Sequence, residues 1–161
     1  MAKRASGGTP AIEALIAAGV AFTLHPYAHA DSATHFGVEA ADALGVDPRR
    51  IFKTLVTDAG GALVVAVVPV AAQLNLKALA AQVGAKKAAL ADPAVAARSS
   101  GYIVGGISPL GQRTRLPTVV DSAAYDFPTI FVSAGRRGLQ VELAAADLVR
   151  VTAAQVAPIA S

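Results

Sequence analysis

Cysteine is absent from the chain, which removes disulfides, thiolate metal sites and a cysteine nucleophile together. Long apolar runs are missing as well. No stretch reaches the roughly 18 to 20 residues that a membrane helix needs, and the longest, "ALVVAVVPVAA" from Ala62 to Ala72, is interrupted by Pro69 and reads as a buried strand. No apolar segment follows Lys3 and Arg4 in the opening "MAKRASGGTP", so a secretory leader is not expected and a cytoplasmic location is. Aromatic residues make up only 5% and charged residues 16%, so the packing must come from small and branched aliphatics.

What is present is aliphatic: hydrophobic residues are 54% of the total, mostly Ala, Val and Leu, a profile that opposes disorder. At 161 residues the chain suits one compact domain over residues 1–161. The net charge is +3, with the cations in close pairs: Arg49-Arg50, Lys86-Lys87, Arg113 with Arg115, and Arg136-Arg137. Such pairs suit either a solvated surface or contact with a phosphate backbone.

Punctuation residues divide the chain clearly. Thr9-Pro10 opens a helix that Gly19 closes, with Ile12, Leu15 and Ile16 inward; Asn75 and Gly84, then Asp92-Pro93 and Gly101, bracket two more. "AFTLHPY" reads as a strand, Asp31 to Gly45 as a loop feeding a helix, and Asp47-Pro48 as a brief turn. "IFKTLVTD" and "ALVVAVVPV" meet at Ala59-Gly60-Gly61 as a hairpin. "YIVGG", "TVVDSAA", "TIFVSAG" and "LQVELA" read as short strands before a weakly helical tail from about Asp147. The order predicts an α+β fold: a mixed, mostly antiparallel sheet curled toward a barrel, flanked by helices.

The glycine-rich stretch "GYIVGGISPLGQR" fails two familiar tests. A phosphate-binding loop needs lysine where Ile107 stands. A nucleophile elbow needs a backbone N–H directly after the serine, and Pro109 follows Ser108 without one. Ser108 is then a turn or pocket hydroxyl, and Gly105-Gly106 is either a sharp bend or a bare-backbone wall for a ligand. Lys53 is the most suspicious charge, because both faces of "IFKTLV" are mostly apolar. It either snorkels at an edge or points into a pocket to hold an oxygen. His25, His29 and His35 lack zinc spacing and read as structural or pocket residues, while Tyr27 and Phe36 suit either core packing or a pocket wall.

With "GYIVGGISPLGQ", "FKTL" and "RRG" together, the chain resembles the YbaK/EbsC family of trans-acting aminoacyl-tRNA editing domains over nearly its whole length. The resemblance implies an enzyme that clears cysteine mischarged onto proline tRNA by prolyl-tRNA synthetase, its partners being misacylated tRNA(Pro) and that synthetase, with no cofactor or metal. It implies that activity depends chiefly on Lys53. It further implies that Tyr27, Phe36, Thr54, Gly105, Gly106, Ser108, Ser133 and Gln140 contact the substrate, whose own thiol attacks the ester. A deacylase for Ala- or Ser-charged tRNA, a hydrolytic route and a non-catalytic tRNA- or synthetase-binding module are the alternatives. Two positions depart from the family pattern: Gln140 stands where similar proteins carry aspartate, and Ala134 where they carry glycine.

Overall fold

The computed structural model describes residues 8–29 and 36–161. Helix α1 (Pro10–Ala18) forms where the sequence punctuates it. The Thr9 hydroxyl accepts the Ile12 N–H at 3.2 Å, proline occupies the first turn where no N–H is needed, and Gly19 closes the helix in the left-handed conformation. Helices α3 (Leu76–Val83) and α4 (Pro93–Ser100) have the predicted caps, Asn75 with Gly84 and Asp92 with Gly101. Helices this short are marginal alone and depend on the sheets they cover.

The sheet is mixed and mostly antiparallel, as predicted, but it is not a closed barrel. Strands β1 (Thr23–Pro26), β7 (Leu139–Leu143) and β6 (Ile130–Arg136) form one antiparallel sheet in the order β1-β7-β6. The other has the order β4-β2-β3-β5-β8, from β4 (Ala88–Leu90), β2 (Phe52–Ala59), β3 (Ala62–Pro69), β5 (Thr118–Asp121) and β8 (Gln155–Ala157). In it β3–β5 and β5–β8 are parallel, and a single parallel bridge, Ile51 to Phe131, joins the two sheets.

Strand β3 shows why its sequence is a continuous apolar run. Val65 and Val67 enter the main core with Ile12 and Leu15 of α1, Val132 of β6, Val141 of β7 and Leu148 of α5 (Ala145–Thr152). Val64, Ala66 and Val68 face the opposite way, under Leu79 of α3 and beside Val119 and Ile159. A strand covered on both faces has no polar face to alternate with. A third cluster places Ala40 and Ala41 of α2 (Phe36–Leu44) against Ile51 and Phe131.

Several sequence expectations need correction. "YIVGG" is not a strand: after α4 the chain runs as a loop to Pro117, held by the Tyr102 hydroxyl, which donates to the Leu110 carbonyl at 2.7 Å. Burial pushes that hydroxyl up to about 12, so it stays protonated as a donor. In "TVVDSAA" the strand stops at Asp121, whose carboxylate takes the Ala123 N–H and starts a 3-10 turn over Ser122–Asp126. The tail is a regular helix, α5, followed by β8, and the short strands β4 and β8 had no periodicity long enough to announce them.

The 101–117 loop seats on α1 through Gly111. Its φ is 65°, and a Cβ there would stand 2.5 Å from the Pro10 carbonyl carbon, which is backbone and cannot yield. Gly111→Ala is therefore expected to destabilise the fold by about 2 kcal/mol or more, lowering Tm by about 4 °C or more in calorimetry. An unchanged Tm would show that the loop does not seat this way.

Candidate active site

The site arises because β2 has two neighbours on one edge and neither runs its full length. At one end Ile51 bridges Phe131 of β6; at the other, Thr57 to Ala59 pair with β4 and the Val56 carbonyl accepts the Ala91 N–H at 3.0 Å. The Val70 N–H donates to the Ile51 carbonyl at 2.8 Å, so alternate residues from Ile51 bond to β3 and the intervening ones face the other edge. By that parity the backbone of Thr54 faces the gap where β6 and β4 diverge. The gap is a cavity of about 470 Å³.

Most of its lining is apolar, including Ile51, Phe52, Val56, Val70, Ala96 and Ile107. Among the described residues the polar side chains on it are four: Lys53, Thr54, Ser133 and Gln140. Burial holds the Lys53 ammonium below its ordinary value of 10.5, since the charged form loses hydration. The register confirms its unusual place: Lys53 lies opposite Val68 and Thr54 opposite Val67, so each shares its face of the hairpin with a core valine. Ser133 and Gln140 are cross-strand partners, and a bulge follows Ser133 before Arg136 pairs with Leu139. The bulge is pinned from α1, where the Thr9 hydroxyl donates to the Ala134 carbonyl at 2.5 Å, and Ser133 Oγ accepts the Gly135 N–H at 3.1 Å. Ala134 is fully buried at this bulge.

The aromatic pair divides. Phe36 lines the cavity mouth, with the Arg137 guanidinium 4.8 Å above its ring, while the same arginine donates to the Val104 carbonyl at 2.8 Å. Arg137 thus ties α2, the 101–117 loop and the β6–β7 turn together, a role its pairing with Arg136 did not announce. Tyr27 is not on the cavity wall. It packs with Ala40, Ala41 and Phe131 and meets the Gln140 side chain. Burial raises its hydroxyl above the ordinary value, with hydrogen bonds from Gly138 and Gln140 opposing.

The glycine-rich loop also divides. Gly105 lines the cavity with φ 87°, and its bare Cα accommodates Phe36 and Arg137, each 2.9 Å from where a Cβ would stand. Gly106 instead packs on the Arg136–Arg137 backbone, and its N–H donates to the Ile103 carbonyl at 2.9 Å, so that donor is unavailable to a ligand. Ser108 is fully buried off the cavity, its Oγ accepting the Leu110 N–H. His25 and His29 serve different carboxylates, Glu142 at 2.9 Å and Glu39 at 2.8 Å; His35 and Asp31 lie outside the described residues. Arg49 pairs with Asp47, and Arg50 with Thr129 and Glu142.

The sequence model of the aminoacyl-tRNA editing domain matches residues 31–151. The chain is also 41% identical over 135 residues to a protein of Enterococcus faecalis provisionally named Cys-tRNA(Pro)/Cys-tRNA(Cys) deacylase EbsC, covering 83% of this chain and 82% of that one. The chain belongs to the aminoacyl-tRNA editing family. As a member it is an aminoacyl-tRNA deacylase, and the divergent edge of β2 is where this domain has its cavity. Two solved structures share the fold. One, of a hypothetical protein, is 27% identical with a TM-score of 0.84, covering 95% of this chain and all (100%) of that one. The other, titled as a trans-editing enzyme for prolyl tRNA synthetase on a provisional basis, is 24% identical with a TM-score of 0.83, covering 94% and 95%.

Sequence reasoning missed the far wall of the cavity. Leu90, Ala91, Pro93 and Ala96 come from β4 and the start of α4, and only the Asp92-Pro93 helix signal lay near them. Among the described residues no helix is long and apolar enough to cross a membrane.

The Lys53 shift has a consequence for stability. Its folded pKa lies below 10.5, so the unfolded chain binds this proton more tightly, and stability rises with pH between the folded value and 10.5. Lys53→Met is expected to raise Tm at neutral pH, with an advantage that shrinks as pH climbs through that window. An advantage independent of pH in thermal melts would contradict the buried charge.

Proposed function

We propose that this editing domain deacylates Cys-tRNA(Pro), with the substrate's own thiol as nucleophile and Lys53 as the residue that positions the ester. The carrying observation is a cavity with a desolvated lysine on its wall and no carboxylate, imidazole or thiol among its described lining residues. Of the two hydroxyls among the described lining residues, Ser133 Oγ accepts the Gly135 N–H, and neither has a carboxylate or imidazole beside it on the described wall. Such a site aligns better than it attacks.

The step balances without any other reagent. The cysteinyl sulfur bonds to the ester carbonyl carbon, the bond from that carbon to the ribose oxygen breaks, and the thiol proton passes to the leaving ribose hydroxyl. The products are tRNA and a cyclic thiolactone. Alignment of thiol and carbonyl within one bound molecule supplies about 7 to 11 kcal/mol of barrier reduction when the geometry is good. The Lys53 ammonium is the only cationic donor among the described residues of the wall, and it would hold the carbonyl oxygen or the terminal adenosine end as charge develops. The relative from Enterococcus faecalis supports the substrate through its name, and prolyl-tRNA synthetase would present the mischarged tRNA in a transient complex. Residues 1–161 would act as one domain in this reading.

Multiple-turnover assays on Cys-tRNA(Pro) test it. Lys53→Ala is expected to lose at least about 100-fold in kcat/KM, on the scale of a lost positioning and charge-stabilising donor. Ser108→Ala is expected to retain wild-type rate per folded molecule, because that hydroxyl is buried off the cavity. Near-normal activity in the lysine variant, or its loss in the serine variant alone, would overturn the mechanism.

A further inference from the structure

Two side-chain oxygens of residues on the cavity wall have no partner among the described residues. The Gln140 Oε1 and Thr54 Oγ1 are both buried and accept no hydrogen bond from those residues, and the Gln140 residue is only 7% exposed. Leaving a buried acceptor unmade costs about 1 to 3 kcal/mol. Both residues line the same cavity. The Gln140 side chain also lies against the Tyr27 hydroxyl.

Among the described residues the other polar groups on the wall are Lys53, which only donates, and Ser133, whose Oγ already accepts the Gly135 N–H. Resting on the reading of this cavity as an aminoacyl-ester site, we infer that Gln140 Oε1 and Thr54 Oγ1 form a subsite for the substrate's α-amino group. That amine is the one donor-rich group every aminoacyl ester carries whatever its side chain. In an otherwise apolar cavity it must find acceptors, and beside Lys53 it would meet like charge. Because the acceptors are neutral, the subsite takes the amine either protonated or free. A formylated or peptidyl-tRNA has lost two of the amine's hydrogens to an amide and gained bulk there, so the same pair makes the enzyme spare N-blocked tRNA.

The test uses full-length protein and two non-hydrolysable probes, 3′-alanylamino-3′-deoxyadenosine and its 3′-propionylamino counterpart, which lacks only the amine. Wild type is expected to bind the alanyl probe at least about tenfold more tightly by calorimetry, the worth of one or two hydrogen bonds to a charged donor. Gln140→Met is expected to bring the two affinities within about threefold while leaving propionyl binding unchanged, a ratio that a general loss of structure does not mimic. Thr54→Val, which removes an unpartnered hydroxyl at constant shape, is expected to reduce the preference without lowering Tm. Gln140→Glu is expected to widen it. Equal binding of both probes to wild type, or a preference that survives in Gln140→Met, overturns the amine subsite alone. Binding of neither probe overturns the aminoacyl-adenosine reading of the cavity and this inference with it.

Discussion

Strand β2 cannot be paired along its whole length by two neighbours that diverge, and from that constraint the rest of the site follows. Bridged to β6 at Ile51 and paired to β4 from Thr57, it keeps an unpaired edge between them. The "FKTL" residues occupy that edge, so a lysine and a threonine that would otherwise be buried in a core face open onto a cavity. The hairpin with β3 supplies rigidity, since every residue from Phe52 to Ala59 is in register with a partner. A precise opening in a rigid element is a better scaffold for aligning reacting groups than a loop.

The chemistry is divided across that opening. Lys53 brings a poorly hydrated positive charge, while Gln140 and Thr54 bring acceptors without partners among the described residues. Ser133 and Gln140 reach the cavity because the β6 bulge, pinned by Thr9, fixes where β6 and β7 face it. Arg137 closes the other side by holding Phe36 and the Val104 carbonyl together. Gln140 offers an acceptor without a charge, so Lys53 has no carboxylate beside it on the described wall.

Much of this was legible in the sequence where local rules decide the outcome. The Thr9, Asn75 and Asp92 caps, the closing glycines and the Gly60-Gly61 hairpin follow from short-range hydrogen bonding and backbone sterics. Lys53 stood out because neither face of its strand was polar. What the sequence could not show was pairing at a distance. β4 and β8 are strands only because β2 and β5 present edges to them, and "YIVGG" is not a strand because no edge receives it. The same limit explains Gly106 and Ser108, whose motif was recognisable but whose contacts, the β6–β7 turn and the Leu110 N–H, belong to packing. Tyr27 moved one layer behind Gln140 for a similar reason, since its burial among Ala40, Ala41 and Phe131 depends on where α2 docks.

The central claim is that the cavity aligns a substrate which attacks itself. Comparing Cys-tRNA(Pro) with S-methylcysteinyl-tRNA(Pro) and Ala-tRNA(Pro) under multiple turnover tests it most directly, because the two controls present the same ester without a nucleophilic thiol. The account predicts rapid release of cysteine as its thiolactone, with both controls left charged. Deacylation of either control at a rate comparable to Cys-tRNA(Pro) would contradict it.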